Sequence, residues 1–166
     1  MKITKYAAID IGSNALRLLI SNVIEYKNET ITLKNSLVRV PIRLGQDAFT
    51  IGIISRKNIK QITRTMNAFK NLMKVHNVKN YLAFATAALR EAKNGKEVIS
   101  RVKKKSGINI QIIDGKKEAK IISNSNVFQG VDRKKTILYI DVGGGSTELS
   151  IIKNKIVLKS ISLKIG

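Results

Sequence analysis

The chain has 166 residues, 43% of them hydrophobic, and carries 31 lysines and arginines against 11 aspartates and glutamates, a formal charge of +20. That length makes one domain, or one and part of a second, and the charge suits either a solvated lysine-rich surface or a polyanionic partner such as nucleic acid, polyphosphate or a highly phosphorylated nucleotide. Cysteine is absent and His76 is the single histidine, which excludes disulfides, thiolate nucleophiles and Cys/His zinc sites.

Lys5–Ile11 reads as a buried strand, Ala15–Val23 as a second, and Glu29–Val40 contains a third. Gly12-Ser13-Asn14 supplies the turn between the first two, and the short connections predict an antiparallel meander. Ser55 can cap a helix over Ser55–Asn77, in which Ile59, Ile62, Met66, Phe69 and Met73 recur at three- and four-residue spacing. Tyr81–Ala85 follows as a buried strand. Asn94–Ser106 is a second helix stopped by Gly107, Ile108–Ile113 alternates as a strand, and Lys116–Phe128 is a third helix. A polar connector at Val131–Lys135 leads into a second meander over Thr136–Val142, Glu148–Lys153 and Lys155–Leu163. The apolar runs are strand-length and the N-terminus lacks a signal peptide's apolar stretch, so no membrane association and a cytoplasmic location are expected.

The two meanders open alike. YAAIDIGSNALRLLI (Tyr6–Ile20) and ILYIDVGGGSTELSII (Ile137–Ile152) each run from an apolar strand through Asp-x-Gly and a serine into another strand, an internal repeat that implies two related halves. A carboxylate closing a buried strand needs a partner. The glycines behind it permit positive φ and let an anion approach a nest of amide N–H groups, to which Ser146 and Thr147 add hydroxyls. Two such loops facing each other across a cleft would each grip a phosphate, with the aspartates reaching a magnesium ion between them. An ordinary tight turn remains the alternative, but two loops with one residue order weaken it. GGGSTE lacks the GxGxxG spacing and precedes a strand, so it is no dinucleotide fingerprint.

IDIGSNALRLLI and IDVGGGSTEL resemble the two phosphate motifs of the actin-like ATPase superfamily of sugar kinases, heat-shock chaperones and exopolyphosphatases. FATAALREAKN (Phe84–Asn94) is similar to the T(S/A)ALREA signature of the exopolyphosphatase and guanosine pentaphosphate phosphohydrolase family. IIDGKKEAKII (Ile112–Ile122) is similar to its ISGxEEARLI stretch, and Arg43-Leu44-Gly45 to its RLG. The resemblance spans the chain in order. It implies an α/β, actin-like (ribonuclease H-like) domain with a mixed sheet in βββαβαβα order, complete over residues 1–130. Residues 131–166 would be the opening strands of a second such domain, incomplete at Gly166, with weak or no activity expected of the isolated chain.

The resemblance also implies roles. Glu118 matches the catalytic glutamate taken as the base that activates water, and Asp10, Asp141 and Glu148 match acidic positions that would bind Mg2+ or water. Ser13, Asn14, Gly143, Gly144, Gly145 and Ser146 match the phosphate cradle, and Arg17 and Arg90 match phosphate contacts, work suited to a planar guanidinium. With so little histidine, a glutamate base is chemically reasonable, provided that burial or neighbouring carboxylates raise its pKa toward neutrality. Lys117, Lys120, Asp114 and Ala15 depart from the family pattern without removing a proposed catalytic group.

Other roles stay open at this level. Glu118 could be a solvated acid near a helix start, Arg90 could pair with an acid on another element, and Glu148 could be exposed on its strand. His76 and Lys103-Lys104-Lys105 are read as surface. The implied activity is release of terminal phosphate from inorganic polyphosphate or of the 5′ phosphate of guanosine pentaphosphate, with a homodimer aligning two basic faces along one polyanion. The alternatives are a non-catalytic polyphosphate- or nucleotide-binding regulatory module and an actin-fold kinase. A nucleic-acid module rests on charge alone, since aromatics make up only 5% of the chain.

Overall fold

The computed structural model describes residues 1–27, 29–123, 135–154, 156–163 and 165. Three strands open the chain: β1 (Lys2–Ile11), β2 (Ala15–Tyr26) and β3 (Glu29–Pro41). They form the expected antiparallel meander, with Asp10 opposite Arg17 and Ala15 opposite Pro41. Two helices follow, α1 (Leu44–Thr50) and α2 (Arg56–Val75), then β4 (Asn80–Ala85), α3 (Ala87–Glu91), α4 (Gly95–Ser106), β5 (Gln111–Ile112) and α5 (Gly115–Ser123). β4 and β5 add in parallel on the other side of β1, giving the mixed sheet order β3-β2-β1-β4-β5. A second, three-stranded antiparallel sheet contains β6 (Ile137–Val142), β7 (Thr147–Lys153) and β8 (Ile156–Leu163) in that order.

The periodicity of α2 is that of a core-facing helix: Ile59, Ile62, Met66, Phe69 and Met73 are all buried. They pack with Ile9, Ile11, Leu16, Leu18 and Ile20 of the sheet in one cluster. Ser55 caps α2, its hydroxyl accepting from Asn58 N at 3.3 Å. Gly107 ends α4 at φ 75°, the left-handed conformation that glycine adopts without strain.

Three local expectations change. Pairing over Ile108–Ile113 is confined to Gln111–Ile112, because Ile108 N donates to the Ser106 hydroxyl and Asn109 N to the Tyr81 hydroxyl instead of to a strand. α1 and α3, at seven and five residues, are too short to complete the window over which helical periodicity is read. Of the helix read over Lys116–Phe128, the structure gives Gly115–Ser123; residues 124–128, and 131–134 of the connector, lie outside the described residues.

The second sheet has one covered and one open face. Ser150 and Ile152 are buried and α5 packs across β7 and β8 on their side, whereas Leu138, Ile140, Val142, Ile151 and Ile161 are exposed. Among the described residues no helix is long and apolar enough to cross a membrane.

Candidate active site

The two glycine loops are built alike. In the first, Gly12 N donates to Ala15 O at 3.1 Å; in the second, Gly143 N donates to Ser146 O at 2.8 Å. Asp10 and Asp141 stand at matching positions, each opposite the residue that begins to leave the turn, Arg17 in one hairpin and Glu148 in the other. The repeat therefore conserves backbone geometry and inverts one charge.

Positive φ plays no part in either loop: among the described residues the glycines that adopt it are Gly52 and Gly107. Close approach explains the run instead. A Cβ on Gly144 would sit 2.5 Å from the Asn14 amide nitrogen, and one on Gly145 would collide with the Phe49 ring. The first loop and α1 thus press directly on the second loop. α1 is itself tied to the first loop, since Arg43 N donates to Asn14 O at 3.1 Å and Gly45 N to Ser13 O at 2.8 Å. That gives the Arg43-Leu44-Gly45 segment a physical role, with Arg43 held at φ 57° to make the turn.

Between the loops lies a cleft of about 200 Å³ whose walls include Asp10, Ser13, Asn14, Arg17, Glu118, Asp141, Gly143, Gly144, Ser146 and Glu148. Arg90 and Gly145 line an adjoining hollow that shares Gly144 and Ser146 with it. Thr86 also lines the cleft, and Phe49 and Ser162 line the hollow; sequence reading passed over all three. Only Thr86 had a signal, its place within the FATAALREA stretch.

Glu118 sits in the first turn of α5. That helix is capped by Asp114, which accepts from Lys117 N at 2.7 Å, so aspartate in place of the family's serine keeps a capping oxygen. The Glu118 carboxylate is about one-fifth exposed, with the Arg90 guanidinium 3.9 Å away. Arg90 is anchored at 3.1 Å to Ile113 O and reaches Glu91 at 3.5 Å. Burial, then the charge of Glu148, pushes the Glu118 carboxyl up to about 7; Arg90 opposes this, and Asp141 and Asp10 add to it. Asp141 is also raised, by burial and then by Glu148 and Asp10. Glu148 is buried and accepts from the Ser162 hydroxyl at 2.9 Å, which settles against an exposed strand position.

Asp10 bonds Arg17 at 2.9 Å, with both side chains nearly half exposed. Such a pair contributes little net stability, so an incoming phosphate can take Arg17 at small cost. Among the described residues no three acidic or imidazole groups converge closely enough to hold a metal alone. Magnesium commonly takes one or two carboxylates and completes its shell with water and phosphate oxygens. One or two of the carboxylates Asp10, Asp141 and Glu148 would fit that mode.

Residues 23–166 match the Ppx/GppA phosphatase family. The chain is 35% identical over 166 residues to a bifunctional 3-dehydroquinate synthase/phosphatase of Fusobacterium nucleatum, covering 96% of this chain and 25% of that protein. It is 28% identical over 151 residues to exopolyphosphatase 1 of Mycobacterium tuberculosis, covering 88% of this chain and 42% of that one. The crystal structure of an exopolyphosphatase from Cytophaga hutchinsonii superposes with a TM-score of 0.84 at 30% identity, over 98% of this chain and 51% of that one. The chain therefore spans a quarter to about half the length of these relatives.

Two tests follow from the cleft. The folded chain holds a proton on Glu118 that the unfolded chain releases, so this group's contribution to stability is present below about pH 4.5 and is lost as pH rises toward about 7. Glu118→Gln should raise stability at pH 8 by an amount on the order of 1–3 kcal/mol and change it little at pH 4, read by urea denaturation; a loss at pH 8 would contradict the burial account. Gly144→Ala should destabilise, and Asn14→Gly should relieve part of the loss. Additivity within about 0.5 kcal/mol in the double-mutant cycle would show that the loops do not press on each other.

The mixed sheet, the paired glycine hairpins and the matched span have one reading: the chain has the actin-like ATPase fold and belongs to the Ppx/GppA phosphatase family.

Proposed function

We propose that this chain forms the phosphate-handling half of a phosphohydrolase that releases terminal phosphate from inorganic polyphosphate or the 5′ phosphate of guanosine pentaphosphate. The observation that carries the reading is Glu118, a largely buried carboxyl raised to about 7 in a cleft between two glycine loops. A base poised near the working pH can take a proton from water and still be deprotonated at rest. The named activity of the Mycobacterium and Cytophaga relatives, exopolyphosphatase, supports the substrate class.

In this reading the terminal phosphoryl group lies between the loops, held by the amides around Gly143–Ser146 and by the Ser13 and Asn14 side chains. Glu118 accepts a proton from a water aligned on the phosphorus. The new P–O bond forms as the bond to the next phosphate breaks, and that phosphate leaves with the bridging oxygen. Arg90 fixes Glu118 from the side, and Arg17 exchanges Asp10 for a phosphate oxygen. Magnesium held by Asp10, Asp141 or Glu148 would neutralise charge on the phosphates.

Phosphate release from long-chain polyphosphate with magnesium tests this, in the chain alone and in a chimera carrying the remaining length of the Cytophaga relative. Glu118→Gln should lower release by roughly 10²–10⁴-fold. The parent rate should rise with pH to a plateau as Glu118 loses its proton, with a midpoint above the ordinary carboxylate range because the group is largely withdrawn from water. Binding without release in both forms would favour a non-catalytic binding module.

A further inference from the structure

A second basic cavity lies away from the acidic cleft and shares no residue with it. It has a volume of about 790 Å³ and runs between α2 and α4, which pack together. Arg56, Lys60 and Arg64 line it from α2 at successive four-residue steps, which place them on one helical face over about 12 Å. Arg101 and Lys105 line it from α4 with the same spacing. All five side chains are exposed, and none forms an ion pair among the described residues.

This arrangement opposes its own stability. Like charges four apart on a helix repel, and here two such rows face one cavity with Glu97 as its single acid. The floor is firm. Ile54 and Ile59 are buried, and the Asn94 amide clamps Ile54 through bonds of 2.8 Å from its N–H and 2.9 Å to its carbonyl. The rows are therefore displayed on a rigid base, with repulsion that a bound polyanion would relieve. Ser55 and Arg56, at the start of α2, also line the groove and bring to it the positive pole of a 20-residue helix.

We propose that this α2–α4 groove binds a segment of linear inorganic polyphosphate at a distance from the candidate active site, as a tether for long chains. The proposal rests on the phosphohydrolase reading for its choice of ligand. The lining favours bare phosphate over nucleic acid, because it contains no aromatic side chain on which a base could stack. A short ligand can occupy one site only, whereas a long chain can reach both, and its second contact then gains from high effective concentration.

The test measures binding of fluorescein-labelled long-chain polyphosphate, and of tripolyphosphate, to the whole chain across a salt series. Three proteins are compared: the parent, the triple variant Lys60→Gln/Arg64→Gln/Arg101→Gln, and the charge-keeping triple Lys60→Arg/Arg64→Lys/Arg101→Lys. The glutamine triple should weaken long-chain binding at least tenfold and lower the salt slope by roughly 2, about 0.7 per cation removed. The charge-keeping triple should bind as the parent does, and circular dichroism of both should match it. Long-chain affinity and slope equal to the parent's in the glutamine triple would overturn the groove, as would equal weakening in the charge-keeping triple. A single-stranded oligonucleotide of matched charge that binds the groove more tightly than polyphosphate would overturn the ligand class. Phosphate release distinguishes the two readings. Groove-dependent binding with no release from either the chain or the chimera retains the groove and removes the hydrolase, whereas release with groove-independent binding does the reverse.

Discussion

Four carboxylates share one small cleft in a chain that carries 31 positive side chains and only seven other acids. Burial raises the proton affinity of Glu118, and Glu148, Asp141 and Asp10 each raise it further. Self-repulsion of this kind is unfavourable to folding, so the surrounding structure must hold it. Arg17 pairs with Asp10, Ser162 donates to Glu148, and Arg90 stands beside Glu118. Every one of these partners comes from a different element, and the first sheet, the second sheet and α5 all converge on the cleft.

The hairpins supply the precision. Each glycine loop is closed by one backbone bond at the same position, and each is followed by a strand that pairs back antiparallel on the strand before it. The repeat gives two similar turns, and the inversion from Arg17 to Glu148 makes them unequal. One side of the cleft then brings a cation and the other a carboxylate. The wedge of Phe49 against Gly145, and of Asn14 against Gly144, locks the second loop onto the first.

Much of this was legible in the residues, because strong patterns carry their own physics. The strand meanders and α2 follow from unbroken apolar periodicity, and the repeated Asp-x-Gly turn marks the loops without any tertiary information. What was not legible depends on contacts between distant segments. Nothing local distinguishes Phe49 as the ring that forbids a side chain at Gly145, since α1 is too short to show a period. Ser162 is one of several serines until β8 carries it beside Glu148. The glycine run suggests backbone freedom and room for an anion; the structure adds that it makes room for Asn14 and Phe49, which only the neighbouring segments reveal. The basic rows of α2 and α4 were visible as charge, but their shared cavity required the packing of the two helices.

The account turns on a glutamate whose proton is held well above the ordinary carboxylate range by burial and by its acidic neighbours. Side-chain 13C NMR of glutamate-labelled protein, with the Glu118 resonance assigned by its loss in Glu118→Gln, measures that titration directly. A midpoint near 7 that moves down in Glu148→Gln is the predicted result. A midpoint near 4.5, unmoved by Glu148→Gln, would mean that the carboxylates do not share one cleft and that Glu118 is an ordinary solvated acid at the start of a helix.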